Sequence, residues 1–302
     1  MKRPNLPFVK YRFVFIAISL LFVVGSIVTI AVKGFNYGID FKGGAKLGYK
    51  FTKPVTEGDV RNVVKSLDIG DVSVVRFGEK KDNRMSIKVE LPKEHAQVGS
   101  IITKALTEHF GAGSVALEQE ETVGPKVGKE LRTDAWYTIL LSWLIMLIYV
   151  GYRFDFLFAP GAVVALMHDV IITLGFFALL GKEINLTIVA ALLTLIGYSI
   201  NDTIVVFDRI RENGGRISAS TINNVVNESL NSTLSRTIIT SLTVLLVVVV
   251  LFFKGGGTLH DFAFALIIGA IVGTYSSIFI AAPTYIGCFN NVPRLRKLWS
   301  KR

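Results

Sequence analysis

Hydrophobic positions along the chain fall into long unbroken runs and, in one stretch, into short alternating ones. Six runs of about 18 or more apolar residues lie near 13–32, 135–152, 157–180, 184–207, 237–253 and 262–289. Each has the length a helix needs to cross the hydrocarbon of a bilayer, so six transmembrane helices are predicted. Residues 35–134, between the first two runs, carry the opposite pattern. Alternation over 45–51, 72–77, 85–91 and 114–120 predicts strands. Between them Val60, Val63, Val64 and Leu67, then Ile101, Ile102, Ala105, Leu106 and Phe110, recur at helical spacing. The order strand, helix, strand, strand, helix, strand predicts a small α+β domain of ferredoxin-like type. A third pattern follows the fourth run, where Ile222, Val225, Val226 and Leu230 give an apolar face to a segment near 217–231. It is predicted to be an amphipathic helix on the cytoplasmic surface. The fold class is thus an α-helical membrane protein with six transmembrane helices and one small α+β ferredoxin-like external domain between helices 1 and 2. The chain divides at 1–34, 35–134, 135–290 and a basic tail, 291–302.

Composition agrees with the runs and charge adds an orientation. Of 302 residues, 51% are hydrophobic and 19% charged, with a mean hydropathy of +0.51, far from the balance of a soluble domain. A net charge of +10 would suggest nucleic acid for a soluble protein, but in a membrane protein basic loops set topology, and no nucleic-acid partner is expected. Loops on the side of both termini hold fourteen Lys and Arg, against Lys182 and Lys254 in the short opposite loops, which predicts cytoplasmic termini. The 35–134 insert then faces outside as a periplasmic domain, since long domains translocate largely regardless of charge. The first run follows Lys2, Arg3, Lys10 and Arg12 without a small-x-small cleavage site and reads as a retained anchor. Cys288 is the single cysteine, which excludes an intrachain disulfide and a multi-cysteine metal site. No cofactor and no metal are expected. Outside the membrane no Ser, His, Asp or metal constellation supports an enzyme.

The chemistry lies inside the spans. Asn201 and Asp202 interrupt the fourth run within 197–213, and a carboxylate at depth costs roughly 2.5–3.5 kcal/mol on insertion scales. Thr187, Thr194, Tyr198 and Asn201 or Asp202 follow one helical face. Gly161, Ala165, His168 or Asp169 and Thr173 form a similar face on the third span, and Arg236, Thr240 and Thr243 on the fifth. Asp202 and Arg236 both lie toward the cytoplasmic end, so they are expected to share a layer, with Asp169 nearer the membrane centre. Burial and a nearby guanidinium act in opposite senses on a carboxyl group. Arg236 stays protonated, so it would serve as a fixed counter-charge that pairs with ionised Asp202 and releases it when a proton arrives. Arg236 as a snorkelling anchor, Asp202 as an interhelical hydrogen-bond partner and His168 as a packed polar residue are the bland alternatives. Asp208, Arg209, Arg211 and Glu212 read as a solvated helix exit. On the sixth span Ala265, Gly269, Gly273, Ser277 and Ala281 form a ladder of small residues, a packing seam whose partner is either in this chain or in another.

Two glycine-rich motifs flank the insert and read as hinges between membrane and domain. One is Gly38-Ile39-Asp40-Phe41-Lys42-Gly43-Gly44, where Asp40 either caps a turn or acts directly; the other, at 123–131, contains Gly124, Pro125 and Gly128. With Ala165-Leu166-Met167-His168-Asp169, the 197–213 stretch and Ser235-Arg236-Thr237-Ile238-Ile239-Thr240-Ser241, they resemble the SecD/SecF family of the bacterial Sec protein-export machinery, on its SecF side. The resemblance covers nearly the whole chain. It implies a helper of the SecYEG channel, placed in the bacterial cytoplasmic (inner) membrane and paired with SecD, with YajC and YidC as further partners. It also implies use of the proton motive force to promote late export of unfolded polypeptide. SecD and SecF resemble the two halves of a resistance-nodulation-division transporter; in fused members both halves share one polypeptide, from which this chain departs. Rival readings are half of a proton-coupled small-molecule or lipid exporter, and a purely structural scaffold. The first lacks a second repeat, and the second has no use for Asp202.

Overall fold

The computed structural model of the chain describes residues 6–78, 82–90 and 98–291. Lys2, Arg3 and the basic tail expected after Asn291 lie outside the described residues. Hydrocarbon offers no hydrogen bonds, so an apolar run there must satisfy its own backbone, and the long runs accordingly form helices. The chain starts with α1 (Arg12–Lys33), the short strand β1 (Asn36–Tyr37) and the single turn α2 (Ile39–Lys42). The insert follows as β2 (Gly44–Phe51), α3 (Glu57–Lys65), β3 (Val72–Arg76), β4 (Arg84–Glu90), α4 (Val98–Phe110) and β5 (Val115–Val123). Next come α5 (Pro125–Arg153), α6 (Ala159–Leu180), the short strand β6 (Glu183–Ile184), α7 (Leu186–Glu212) and α8 (Ile222–Lys254). The last span is built from α9 (Gly256–Ser276), a π-helical turn (Ser277–Ala281) and α10 (Ala282–Asn291). Among the described residues, six helices are long and apolar enough to cross a membrane. Over their most apolar stretches α6 and α7 are more than half buried, whereas α1, α5 and α8 turn most of theirs outward.

The strands of the insert form one antiparallel sheet in the order β3-β4-β2-β5. Alternation on β2 and β4 sends Ala45, Leu47, Tyr49 and Phe51, with Met85, Ile87 and Val89, to one face, where Val60 and Val64 of α3 and Ile102 and Leu106 of α4 cover them. Thr56 starts α3 with a capping box, its hydroxyl accepting from the Asp59 backbone N–H at 3.2 Å while Asp59 reaches back.

Two sites fasten this domain to the helices. At the first, the glycine motifs expected as separate hinges pack against each other. Gly124 is the N-cap of α5 and Pro125 its first residue, so the second motif is the start of a helix. A Cβ on Gly43 would stand 2.6 Å from the Pro125 Cα, and one on Gly128 2.9 Å from the Gly43 nitrogen, contacts only glycine permits. At the second, β1 pairs in parallel with β6, placing the end of α1 beside the start of α7.

The segment near 217–231 departs from its expected place on the surface. Its residues from Ile222 onward are the first turns of α8, a single helix of 33 residues. No Gly or Pro lies between 222 and 254, so nothing stops the helix. Its apolar face is covered by protein: Ile222, Val226 and Leu230 join the main core. Asn227 and Asn231 clasp the segment before α1, accepting from the backbone N–H groups of Val9 and Leu6 at 3.2 and 2.7 Å.

Candidate functional site

Four helices bring polar side chains into the apolar core. Ser199 and Asp202 lie three residues apart on α7 and so share a face. His168 and Asp169 come from α6, Thr240 and Ser241 from α8, and Thr274 and Ser276 from α9. The small-residue ladder makes the close approach possible, and its partners are α7 and α6 of the same chain. Gly269 packs on Leu195, and a Cβ on Gly273 would lie 3.1 Å from the Ser199 Cβ and 3.5 Å from Asp169 Oδ2. Ser277 stays within its own helix, donating to the Gly273 carbonyl at 3.0 Å.

Asp169 is 0% exposed and fully furnished with donors. Its Oδ1 stands 2.9 Å from His168 Nδ1, while Oδ2 accepts from Ser199 Oγ at 2.5 Å and Ser276 Oγ at 2.9 Å. Donors of this kind are what keep a buried carboxyl group tolerable. The His168 ring stacks on Tyr275, with centroids 6.1 Å apart and planes at 17°, and its Nε2 is buried without a partner among the described residues. The Tyr275 hydroxyl donates to the Phe15 carbonyl at 2.6 Å and accepts from Ser19, tying the cluster to α1.

Asp202, 2% exposed, is as enclosed but poorly served. Thr240 Oγ1 and Ser241 Oγ approach its two oxygens at 3.4 Å each, the outer limit for O–H donors. Both hydroxyls have nearer partners. Thr240 stands 3.0 Å from the carbonyls of Arg236 and Thr237, and Ser241 is 2.6 Å from Thr274 Oγ1.

The candidates named from sequence separate in space. Asp169, His168 and Asp202 enter the core with Gly273 beside them. Arg236 is exposed and, among the described residues, no ion pair within 4.0 Å joins it to Asp202. Asn201 is exposed too, because one residue along a helix turns about 100° and so faces away from its neighbour. Thr194 and Thr243 look outward with it, giving the bundle a polar flank beside Asp202. Gly38, Asp40, Gly43, Gly44, Gly124, Pro125 and Gly128 gather at the junction with the domain. Sequence reasoning missed Ser199, Ser276, Thr274 and Tyr275. Ser199 carried a signal, three residues before Asp202 on the same face. Ser276 did not, since it sits at the start of the π turn, which shifts the register of the ladder. Among the described residues no group of three or more His, Cys, Asp or Glu side chains is arranged to hold a metal.

Comparison with known proteins is consistent along the chain. Residues 102–290 match the family described as protein export membrane protein SecD/SecF, C-terminal, and residues 28–55 match the SecD/SecF GG motif, which includes Gly43 and Gly44. Protein translocase subunit SecF of Calditerrivibrio nitroreducens is 46% identical over 285 residues, covering 92% of each chain. That of Thermodesulfovibrio yellowstonii is 42% identical over 290 residues, covering 94% of this chain and 95% of its own. The crystal structure of SecDF, a translocon-associated membrane protein from Thermus thermophilus, aligns with a TM-score of 0.81 at 35% identity over 95% of this chain. This chain spans 39% of that longer one. The chain therefore belongs to the SecD/SecF family of protein-export membrane proteins.

Proposed function

We propose that the chain is the SecF-type accessory subunit of the Sec translocase, pairs with a SecD-type half, and uses the proton motive force to promote export of unfolded polypeptide, with Asp202 carrying the proton. Its relatives are named translocase subunits, a transport component rather than an enzyme. The observation that carries the relay is the contrast between two buried carboxyl groups. Asp169 has three close donors and braces α6, α7 and α9. Asp202 has two contacts at 3.4 Å and lies beside a polar flank. Such a group has two ways to relieve an uncompensated buried charge: a proton, or the guanidinium of Arg236 swinging in. Alternation between them is the switch, and one charge moved across 100 mV is worth about 2.3 kcal/mol, enough to bias helix packing.

Asn201, Thr194 and Arg236 on the open flank suit a second half-transporter placed there. That the chain spans 39% of the SecDF chain supports a SecD-type occupant. SecYEG, YajC and YidC are the further partners in this reading. The βαββαβ order, with both helices on one face of the β3-β4-β2-β5 sheet, supports a ferredoxin-like domain. The loop charges support cytoplasmic termini and an external domain in the bacterial cytoplasmic membrane. The reading is tested in vesicles bearing a proton gradient with the purified complex: Asp202→Asn is expected to assemble but to lose gradient-dependent export, and export equal to the parent's would refute the relay.

A further inference from the structure

The domain and the helix of Asp202 meet at one short loop. Residues 181–185 link α6 to α7, and almost every one is tied to something else. Lys182 pairs with Asp261 of α9 at 2.5 Å, and Glu183 pairs with Lys88 in the middle of β4. The Gly181 carbonyl accepts from Asn36 at 3.0 Å, and the Ile184 carbonyl from the Gly38 N–H at 2.9 Å. A Cβ on Gly38 would meet the Glu183 carboxylate and stand 3.2 Å from the Asn185 Cβ, so this loop lies directly against the first glycine motif. Asn185 caps α7, accepting from the Ile188 N–H at 3.0 Å.

Asp40 completes the junction. Its carboxylate oxygen accepts from the Leu186 N–H at 2.9 Å, across 146 residues of sequence. Leu186 is the first residue of α7, whose N–H has no partner inside the helix, and a carboxylate there also meets the positive end of the helix dipole. Asp40 lies on α2, three residues before Gly43, which is wedged on Pro125 at the start of α5. The base of the domain is therefore held on one side by α5 and on the other by α7. From Leu186 to Asp202 is 16 residues of continuous helix, about 24 Å. A packed helix transmits displacement along its axis because its interior neighbours leave it no room to bend.

We propose that Asp40 is the positioning residue that couples the two ends of the machine: it fastens the α/β domain to α7, so that a shift of α7 set by the state of Asp202 becomes a movement of the domain. Glu183, through Lys88, is the second strap. Asp40 touches neither the proton nor the exported chain and acts through α7. This inference rests on the proton-driven reading proposed above.

The test uses the full chain with its SecD-type partner in vesicles, with Cys288→Ser as background. Spin labels at Lys104→Cys on the domain and Leu259→Cys on α9 report the distance between them with and without a proton gradient. In the parent the distance distribution is expected to shift with the gradient. Asp40→Ala is expected to lose that shift and the gradient-dependent export, while the proton-dependent infrared signal of Asp202 remains. Asp40→Asn keeps a side-chain oxygen for the Leu186 N–H and is expected to retain the shift; losing it as fully as Asp40→Ala would overturn the hydrogen-bonded linkage. An Asp40→Ala complex whose domain moves like the parent's overturns the coupling and leaves the relay standing. A parent without any shift overturns the coupling, whereas the relay is overturned only if the proton-dependent infrared signal of Asp202 is also missing. Should Asp40→Ala not assemble, Lys88→Gln breaks the second strap and is expected to reduce the same shift; an unchanged shift there overturns the proposal.

Discussion

Replacing Asp169 by Leu removes a buried carboxyl group while keeping the branching and number of its heavy side-chain atoms, and it strands the donors that the group now satisfies. Three donors point at Asp169: His168 Nδ1, Ser199 Oγ and Ser276 Oγ. Ser276 has a second acceptor, the Gly273 carbonyl at 3.1 Å, so two donors are left without a partner in the core. A stranded buried donor costs about 1–3 kcal/mol, which sets the expected loss at about 2–6 kcal/mol. Removing the donor as well should return part of that loss, because a matched apolar pair is close to neutral, and Ser199→Ala on the Asp169→Leu background is expected to recover about 1 kcal/mol or more. Asp202→Asn is the contrast. Its two donors already have nearer acceptors, so its expected cost is below about 1 kcal/mol. The assay is denaturant-induced unfolding of the purified complex in mixed micelles, followed by the fluorescence of Trp136 and Trp143. Equal losses for Asp169→Leu and Asp202→Asn, or no recovery from Ser199→Ala, would refute the division into a bracing and a working carboxyl group.

The α/β domain and its attachment give further tests. Gly128→Ala forces a methyl to within 2.9 Å of the Gly43 nitrogen, and overpacking of this kind costs about 1–3 kcal/mol. Faster amide exchange in residues 36–44 is expected, and parent-like exchange would show that the two motifs slide apart freely. Thr56→Ala removes the capping box of α3 and is expected to cost about 0.5–2 kcal/mol, read from exchange in the first turn of α3; Thr56→Ser should restore it. Burial pushes the Tyr49 phenol up to about 12, partly offset by its hydrogen bond with Thr103. Its ordinary value is about 10, so the folded domain disfavours the phenolate: this contribution is complete below about pH 10 and is lost as pH rises toward about 12. Denaturation midpoints of the parent should fall across that window more steeply than those of Tyr49→Phe, and parallel curves would refute the assignment.

Much of this architecture was legible in the sequence because its physics is local. An apolar run of about 20 residues in hydrocarbon has little alternative to a helix, and alternation on β2 and β4 fixed which side chains meet α3 and α4. Asp202 announced itself by cost alone. What was hidden depended on distance along the chain or on rotation about a helix. Asn201 and Asp202 are neighbours in sequence, yet one faces the core and the other the flank. The segment near 217–231 looked like a separate surface helix, but the polar residues that follow it do not stop a helix, and α8 runs on through them. Ser276 reaches Asp169 beside a π turn that no periodicity reveals. The link from Asp40 to Leu186 joins motifs that sequence could only describe separately.

In the proposed relay, Asp202 is the carboxyl group whose proton occupancy changes. Infrared difference spectroscopy during pH exchange, on the membrane-reconstituted complex, tests it most directly. A protonated-carboxyl band is expected to appear on acidification in the parent and in Asp169→Asn and to be absent from Asp202→Asn. A band unchanged by Asp202→Asn would contradict the relay.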